Sequence, residues 1–360
     1  MFNPKLIAAF LIALAVAVPA TASAAPKTGA IVYSMVTVDK GGDEVEGKKT
    51  EPKAPEGGLF AVRDHHLNQL TEDPTDTEPA FSADGTTIAF VRAGDIYAMR
   101  ADGSGQRRLS SGPELDSRPL VSPDGRVVVF ERRSAADQPR DLYTVKAGGA
   151  GLHRLTSSAA DDHEASFAPD GKNLVFVRSV AQTGGGTADD IYSVRPSGAR
   201  LVRLTNTGRD DFAPRDLGKA IVFSRGESGE GPSAFADIFT MKSNGQKARK
   251  LIAGVGSAYV EDATANGHTL LFRRDQGLWV KQLGGKGRKL AELPDQAKTN
   301  AVFSSDGRKV AAFTATDEEE ALSVIDVATG HRSYVAAGSF TSGGVTATIG
   351  PVIAWQPVRR

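Results

Sequence analysis

The chain contains no cysteine and only two tryptophans, and its 43 basic residues are matched by 43 acidic ones. Without cysteine there are no disulfides, so stability must come from a packed core and from the way the fold closes. A bacterial lipoprotein anchor is excluded for the same reason. The absent cationic surplus argues against nucleic acid as the main partner, because phosphate binding draws on excess Lys and Arg. Long apolar runs are scarce: residues 6–18 form a run of about 13, too short to span a bilayer comfortably. No G-x-S-x-G elbow, P-loop, dinucleotide fingerprint or H-E-x-x-H occurs. The Asp-Gly turns also differ from sialidase Asp boxes, where the two residues are not adjacent.

The N-terminus carries a secretory pattern instead. Lys5 gives a positive start, the apolar run follows, and Ala22-Ser23-Ala24 is a small-x-small cleavage signal. The expectation is a cleaved signal peptide over residues 1–24, with an uncleaved anchor as the alternative. No integral membrane segment would follow cleavage, and the protein would be periplasmic or secreted.

The rest of the chain repeats itself. Pro79-Ala80-Phe81-Ser82-Ala83-Asp84-Gly85, then Ile88-Ala89-Phe90-Val91-Arg92, Asp95-Ile96-Tyr97 and Arg108-Leu109-Ser110 return as related strings. The next copy has Asp124-Gly125, Phe130, Asp141-Leu142-Tyr143 and Arg154-Leu155-Thr156. Another has Asp170-Gly171, Phe176, Asp190-Ile191-Tyr192 and Arg203-Leu204-Thr205. Four short strand signals in a period of roughly 40 to 50 residues are the mark of propeller blades. Asp-Gly and Asn-Gly pairs set tight hairpins because Gly tolerates positive φ. One unit has Leu217-Gly218 there, so its turn is expected to differ.

The second strand of each unit is apolar throughout, as a strand covered on both faces must be. It usually ends in Arg (Arg92, Arg132, Arg178, Arg225, Arg273), and the third strand usually starts with Asp (Asp95, Asp141, Asp190, Asp237). These predict cross-strand ion pairs between the two positions. The basic residues of the fourth strand, such as Arg108, Arg154 and Arg203, read as edge protection.

Units start near 76, 116, 162, 211, 258 and 298. Residues 29–71 supply three further strands, and residues 345–357 match the missing first strand. The two ends would then share one blade and remove the open edge. The fold class is all-β, a propeller of four-stranded antiparallel blades. The count is seven, or six if the N-terminal strands are no blade. Residues 25–360 would form this single domain.

The string PAFSADGTTIAFVRAGDIYAMRADGSGQRRLS resembles the WD-repeat-like blade of the TolB C-terminal propeller family. The resemblance extends over nearly the whole of residues 25–360, is strongest in the units from 76, 116 and 162, and weakens in the fifth and sixth. It implies a propeller and leaves function open, since such rings host binders, lyases and hydrolase-associated domains alike. The family's name-giver places an α/β domain before its propeller, whereas residues 26–75 here read as strands plus a charged loop.

Binding residues are expected at the channel mouth: Asp76, Glu78, Asp116, Arg118, Asp162, His163, Glu164 and Asp211. Such carboxylates could hold a cation or a basic peptide end, or simply cap local backbone groups. His163, between Asp162 and Glu164, could act as a general base or a metal ligand. No catalytic residue and no cofactor is assigned, and metal binding is left open. The loops between second and third strands, 39–57, 134–140, 179–189 and 226–236, vary in length, as binding loops on a rigid scaffold do. The expected function is a monomeric, non-enzymatic module of the cell envelope that binds an envelope or extracellular protein or peptide. The alternative is a propeller enzyme, a lyase or glycoside hydrolase, acting on polysaccharide through its channel.

Overall fold

Each repeat folds around its apolar second strand. In Thr87–Arg92, residues Ile88, Ala89, Phe90 and Val91 are buried on both faces of the sheet. Such a strand needs a neighbour on each side, and stacking of blades supplies one. Alternate residues therefore face different neighbours. Ala89 and Val91 pack with Val128 and Phe130 of the following blade, while Ile88 and Phe90 pack with Val32 and Leu59 of the preceding one. Each fully buried Phe, Leu or Ile contributes about 1.5–3 kcal/mol.

The computed structural model describes residues 29–355 apart from 40–43, 46–47, 50–53, 64–65, 184, 227–235, 253–256, 265, 295–297, 317–319, 338–339 and 343–344. The expected signal segment, 1–24, and much of the 39–57 and 226–236 loops lie outside the described residues. Six antiparallel four-stranded sheets follow one another along the chain. Blade 2 is Asp76–Phe81, Thr87–Arg92, Asp95–Arg100 and Arg107–Arg108. Blades 3 to 7 span 115–154, 162–203, 211–252, 258–292 and 298–337.

Blade 1 is made from both ends. Its sheet runs Phe340–Ser342, Val345–Trp355, Ile31–Asp39, Glu56–Arg63 and His66–Gln69. Ile31 pairs with Trp355 on one side and Val62 on the other. Ile31, Tyr33, Phe60 and Ile353 then pack against Ala311, Phe313 and Leu322 of blade 7, which closes the ring. The count is therefore seven, with the shared closing blade that the strand patterns predict. The 39–57 connection, read from its charges as a loop, holds a short hairpin, Glu44–Val45 with Lys48–Lys49.

The turns follow the sequence. Ser82 Oγ donates to Asp84 Oδ1 at 2.7 Å, and the Thr87 N–H donates back to Ser82 Oγ at 3.0 Å. Gly85 takes φ 67°. The 217–220 turn does differ. Leu217 N donates to Ala220 O at 2.8 Å, and Asp216 Oδ1 accepts from Gly218 N at 2.8 Å.

The expected ion pairs are re-partnered. Arg92 and Asp95 do face each other in register, yet each side chain turns to another strand. Arg92 grips Asp76 at the start of the inner strand through Nε at 2.6 Å and Nη2 at 2.7 Å. Asp95 takes Arg108 of the outer strand at 2.6 Å. The same double arrangement recurs as Asp116–Arg132 with Asp141–Arg154, Asp162–Arg178 with Asp190–Arg203, and Asp211–Arg225 with Asp237–Lys250. A planar guanidinium matches a carboxylate edge-on, and the register sets each clamp aspartate directly across from its arginine on the adjacent strand. Each clamp arginine also lies over two rings, as Arg178 does over Phe176 and Tyr192 at 5.6 and 4.9 Å.

The ring thus has two faces. One carries the clamps, the loops between second and third strands, and the blade-to-blade connections. The opposite face carries the tight hairpins between first and second and between third and fourth strands.

Candidate functional site

Two residues beyond each clamp aspartate the inner strand bulges. The register slips between 77 and 80, 117 and 120, 163 and 166, and 212 and 215. At each slip a non-glycine residue adopts the left-handed region: Glu78 at φ 52°, Arg118 at 49°, Glu164 at 53° and Ala213 at 49°. This conformation is costly for L-residues. The compensation is a hydrogen bond to the neighbouring blade. Arg118 N donates to Glu78 Oε2 at 2.5 Å, Glu164 N to Glu131 Oε1 at 2.8 Å, and Ala213 N to Glu164 Oε2 at 2.7 Å. Acidic side chains, Glu78 and Glu164 from inner strands and Glu131 from a second strand, strap the following blade's inner strand on the clamp face.

Over blades 3 to 5 these straps merge into a charged cluster. Glu131 is only 2% exposed, and its Oε2 accepts from Arg140 Nη1 at 3.1 Å. Arg140 also holds Asp161, through Nη2 at 2.5 Å and Nε at 2.9 Å. His163 Nδ1 is 3.5 Å from Asp161 Oδ2 and is buried without a hydrogen-bond partner. Arg118, 54% exposed, reaches Glu131 at 4.0 Å and Glu164 at 3.9 Å. Asp189 accepts from Ser179 Oγ at 2.6 Å, and its own N–H donates to Asp210 Oδ1 at 3.1 Å.

The electrostatics follow from burial and partners. Burial pushes the Glu131 carboxyl up, against the pull of Arg118 and Arg140. Burial likewise raises Asp189, with Ser179 and His163 opposing it. At Asp161 burial also pushes upward, but the hydrogen bonds from Arg140 outweigh it and hold the carboxyl below its ordinary range. Arg140 is driven up chiefly by its hydrogen bond to Asp161. Five carboxylates (Glu131, Asp161, Glu164, Asp189 and Asp210) stand against two guanidiniums and one imidazole, so the mouth is acidic.

The eight residues expected at the mouth divide. Asp76, Asp116, Asp162 and Asp211 are buried, and each is occupied by its clamp arginine. Glu78, Arg118, His163 and Glu164 line the mouth, and the last three join the cluster. Sequence reasoning missed Glu131, Arg140, Asp161, Asp189 and Asp210. A signal existed for four of them. Glu131 is an acid inside an apolar strand, and Asp161-Asp162, Asp189-Asp190 and Asp210-Asp211 are doublets. The second member of each doublet serves an ion pair, which leaves the first for the site. Among the described residues no group of three or more His, Cys, Asp or Glu side chains is arranged to hold a metal ion. No helix among them is long and apolar enough to cross a membrane.

Comparison with known proteins agrees on architecture. A family model described as the Tricorn protease N-terminal beta propeller domain matches residues 77–228. A TolB homolog of Chlorobium luteolum is 28% identical over 75 residues, a match covering 20% of this chain and 17% of that relative. The structure of TolB from Acinetobacter baumannii superposes with TM-score 0.55 at 17% identity, covering 86% of this chain and 81% of that one. An oligogalacturonate lyase from Vibrio parahaemolyticus gives 0.57 at 10% identity, covering 79% and 86%. A puromycin-hydrolyzing peptidase of Mycobacterium tuberculosis gives 0.58 at 15% identity, covering 78% and 48%. Likeness at these identities speaks for fold alone. With its blade repeat, its sheet order and its shared closing blade, the chain is in fold a TolB-like seven-bladed β-propeller.

Proposed function

We propose that the protein is an exported, non-enzymatic binding module that holds a cationic segment of a protein or peptide at the acidic mouth over blades 3 to 5. The observation that carries this reading is the cluster around Arg140. Its carboxylates outnumber its cations, and Glu164 and Arg118 reach solvent beside buried Glu131. A Lys or Arg side chain, or a peptide amino terminus, would find preorganised acceptors there without having to order them. Export rests on the secretory pattern of residues 1–24, with residues 25–360 as one propeller domain.

The test is capture of envelope proteins, followed by titration with the Lys- and Arg-rich segments of whatever is captured. The double variant Glu164→Gln/Asp189→Asn keeps hydrogen-bond acceptors but removes two charges. It should lose at least tenfold in affinity, and binding should weaken with salt. Unchanged affinity would overturn the assignment of the site.

The alternative is a polysaccharide-acting enzyme, and the placement of His163 beside Asp161 gives it a general-base candidate. Incubation with oligogalacturonate decides it. Release of unsaturated uronate products, lost on Arg118→Ala/His163→Ala/Glu164→Ala substitution, would favour that reading over a binding module.

A further inference from the structure

The hairpin face, opposite the acidic mouth, has a charge pattern of its own. In blade 2 the cations Arg100 and Arg107 on this face are offset by Asp84 and Asp102. Blades 4 to 6 lack that balance. Arg195 and Arg200 in blade 4, Lys219, Lys242 and Lys247 in blade 5, and Lys286 in blade 6 are all exposed. None of the six forms an ion pair with a described residue. The acids of this region, Asp170 and Asp216, are outnumbered by these six cations. Asp170 caps the Lys172 N–H at 3.0 Å, and buried Asp216 caps Gly218.

Two substitutions along the repeat sharpen the pattern. Where Asp102 caps Ser104 N in blade 2, Asn244 caps Gln246 N in blade 5. Where Asp84 caps Thr86 N, Asn266 caps His268 N in blade 6. The hydrogen bond is kept and the negative charge is gone. The third-to-fourth hairpin also needs a left-handed residue. Blades 2 and 3 use Gly105 at φ 66° and Gly151 at 73°, but blades 4 and 5 use Arg200 at 59° and Lys247 at 58°. Glycine would fit there with less strain, so the backbone does not account for these two cations.

Apolar side chains flank the basic residues. Leu152 at 43%, Leu201 at 46% and Val202 at 50% are three of the five most exposed large hydrophobics of the described chain. They stand on adjacent hairpins of blades 3 and 4, where Gly198 lies against His153 and Leu155. A polyanion such as DNA or a uronate chain has no use for protruding Leu and Val. A bilayer surface uses both features, headgroup charge for the cations and the acyl boundary for the side chains.

We propose that the hairpin face of blades 4 to 6, with Leu152, Leu201 and Val202 at its border, is a docking surface for an anionic lipid bilayer. The protein would sit peripherally on the membrane with its acidic mouth turned away from it. This inference is independent of what the mouth binds.

Sedimentation of the full chain with vesicles of phosphatidylcholine alone, and of phosphatidylcholine with phosphatidylglycerol, tests it. The difference between the two vesicle types removes any charge-independent contribution of apolar residues 6–18. Anionic vesicles should bind preferentially, and high salt should abolish the preference. Each basic residue at a membrane surface counts for about fivefold, so Arg195→Glu/Arg200→Glu/Lys247→Glu, which also adds repelled charge, should cost at least about 100-fold. Leu201→Ser/Val202→Ser should cost several-fold more weakly. The variant Arg200→Gly/Lys247→Gly guards against misfolding as the explanation. It adopts the residues of blades 2 and 3, so it should melt no lower than the parent while losing about 25-fold in vesicle binding. Equal binding to both vesicle types, or unaffected binding by the glycine variant, would overturn the proposal. Salt-sensitive binding to duplex DNA or polygalacturonate with no preference for anionic vesicles would also overturn it and reassign the face to a polyanion.

Discussion

Blades 2 to 5 and blades 6 to 7 are built on the same sheet but held at the top in different ways. In blades 2 to 5 a buried aspartate opens the inner strand, an arginine closes on it, and a left-handed residue follows two positions later. In blade 6 the aspartate is replaced by Ala258, in register with Arg274, whose buried Nε has no hydrogen-bond partner and lies 3.6 Å from Asp275. The neighbouring Arg273 pairs with Glu261 at 2.5 Å instead, and no left-handed residue occurs in that inner strand. In blade 7 Lys298 pairs in register with Ala315, and the ladder runs to Phe303–Val310 without a slip. Clamp and left-handed bulge are therefore present together or absent together. The apolar interfaces suffice to stack a blade. What the clamp adds is an anchor just ahead of a strained bulge, and the candidate site lies over blades that have it.

The comparison can be broken most forcefully at blade 4. Asp162→Ala leaves Arg178 buried without its carboxylate and should cost about 3–5 kcal/mol, read by denaturant unfolding. The double variant Asp162→Leu/Arg178→Met should recover most of that loss, because no uncompensated charge is left behind. If the single and double variants were equally destabilised, packing rather than the ion pair would be holding the strand. Blade 6 offers the reverse experiment. Ala258→Asp should give Arg274 Nε an acceptor and raise stability by about 1 kcal/mol, seen as a higher melting temperature. Removing the same arginine, Arg274→Ala, should change stability by less than about 1 kcal/mol, since no buried acid depends on it.

The smallest effect concerns Asp161, which sits beside a clamp without belonging to one. Its folded carboxyl titrates below the unfolded value of about 3.9, so it stabilises the fold above that pH and loses this contribution as pH falls through the folded value. The stability difference between wild type and Asp161→Asn should be under about 1 kcal/mol at pH near 6 and should shrink as pH drops below about 4. A difference that grew on acidification would show that the burial penalty at Asp161 outweighs Arg140.

The architecture was legible because its signals are local and repeated. Asp-Gly turns, unbroken apolar second strands and the spare strand near the C-terminus each report on nearby backbone, and seven copies average out exceptions. Partner choice was less legible. Arg92 and Asp95 are cross-strand neighbours, and a pairwise rule joins them, but both side chains lean toward the other strand beside them. That preference comes from the ring stack of Phe90 and Tyr97 under the guanidinium, at 5.3 and 4.9 Å, which register alone does not convey. The site was half legible for a related reason. The mouth residues Glu78, Arg118, His163 and Glu164 follow from repeat position. Arg140 and Asp161 come from connections outside the regular repeat, and only folding brings them within 2.5 Å.

The pairing of Ile31 with Trp355 has a further consequence for how the molecule comes into being. A chain made from the N-terminus presents Ile31–Asp39 long before its inner partner, Val345–Trp355. Until then one side of that strand is an unfilled template, beside side chains such as Tyr33 and Phe60 that the finished ring buries. Contacts between such distant positions form slowly. The protein is therefore exposed to mispairing until Val345–Trp355 has been made, and the arrival of that one strand is the trigger for the closed state.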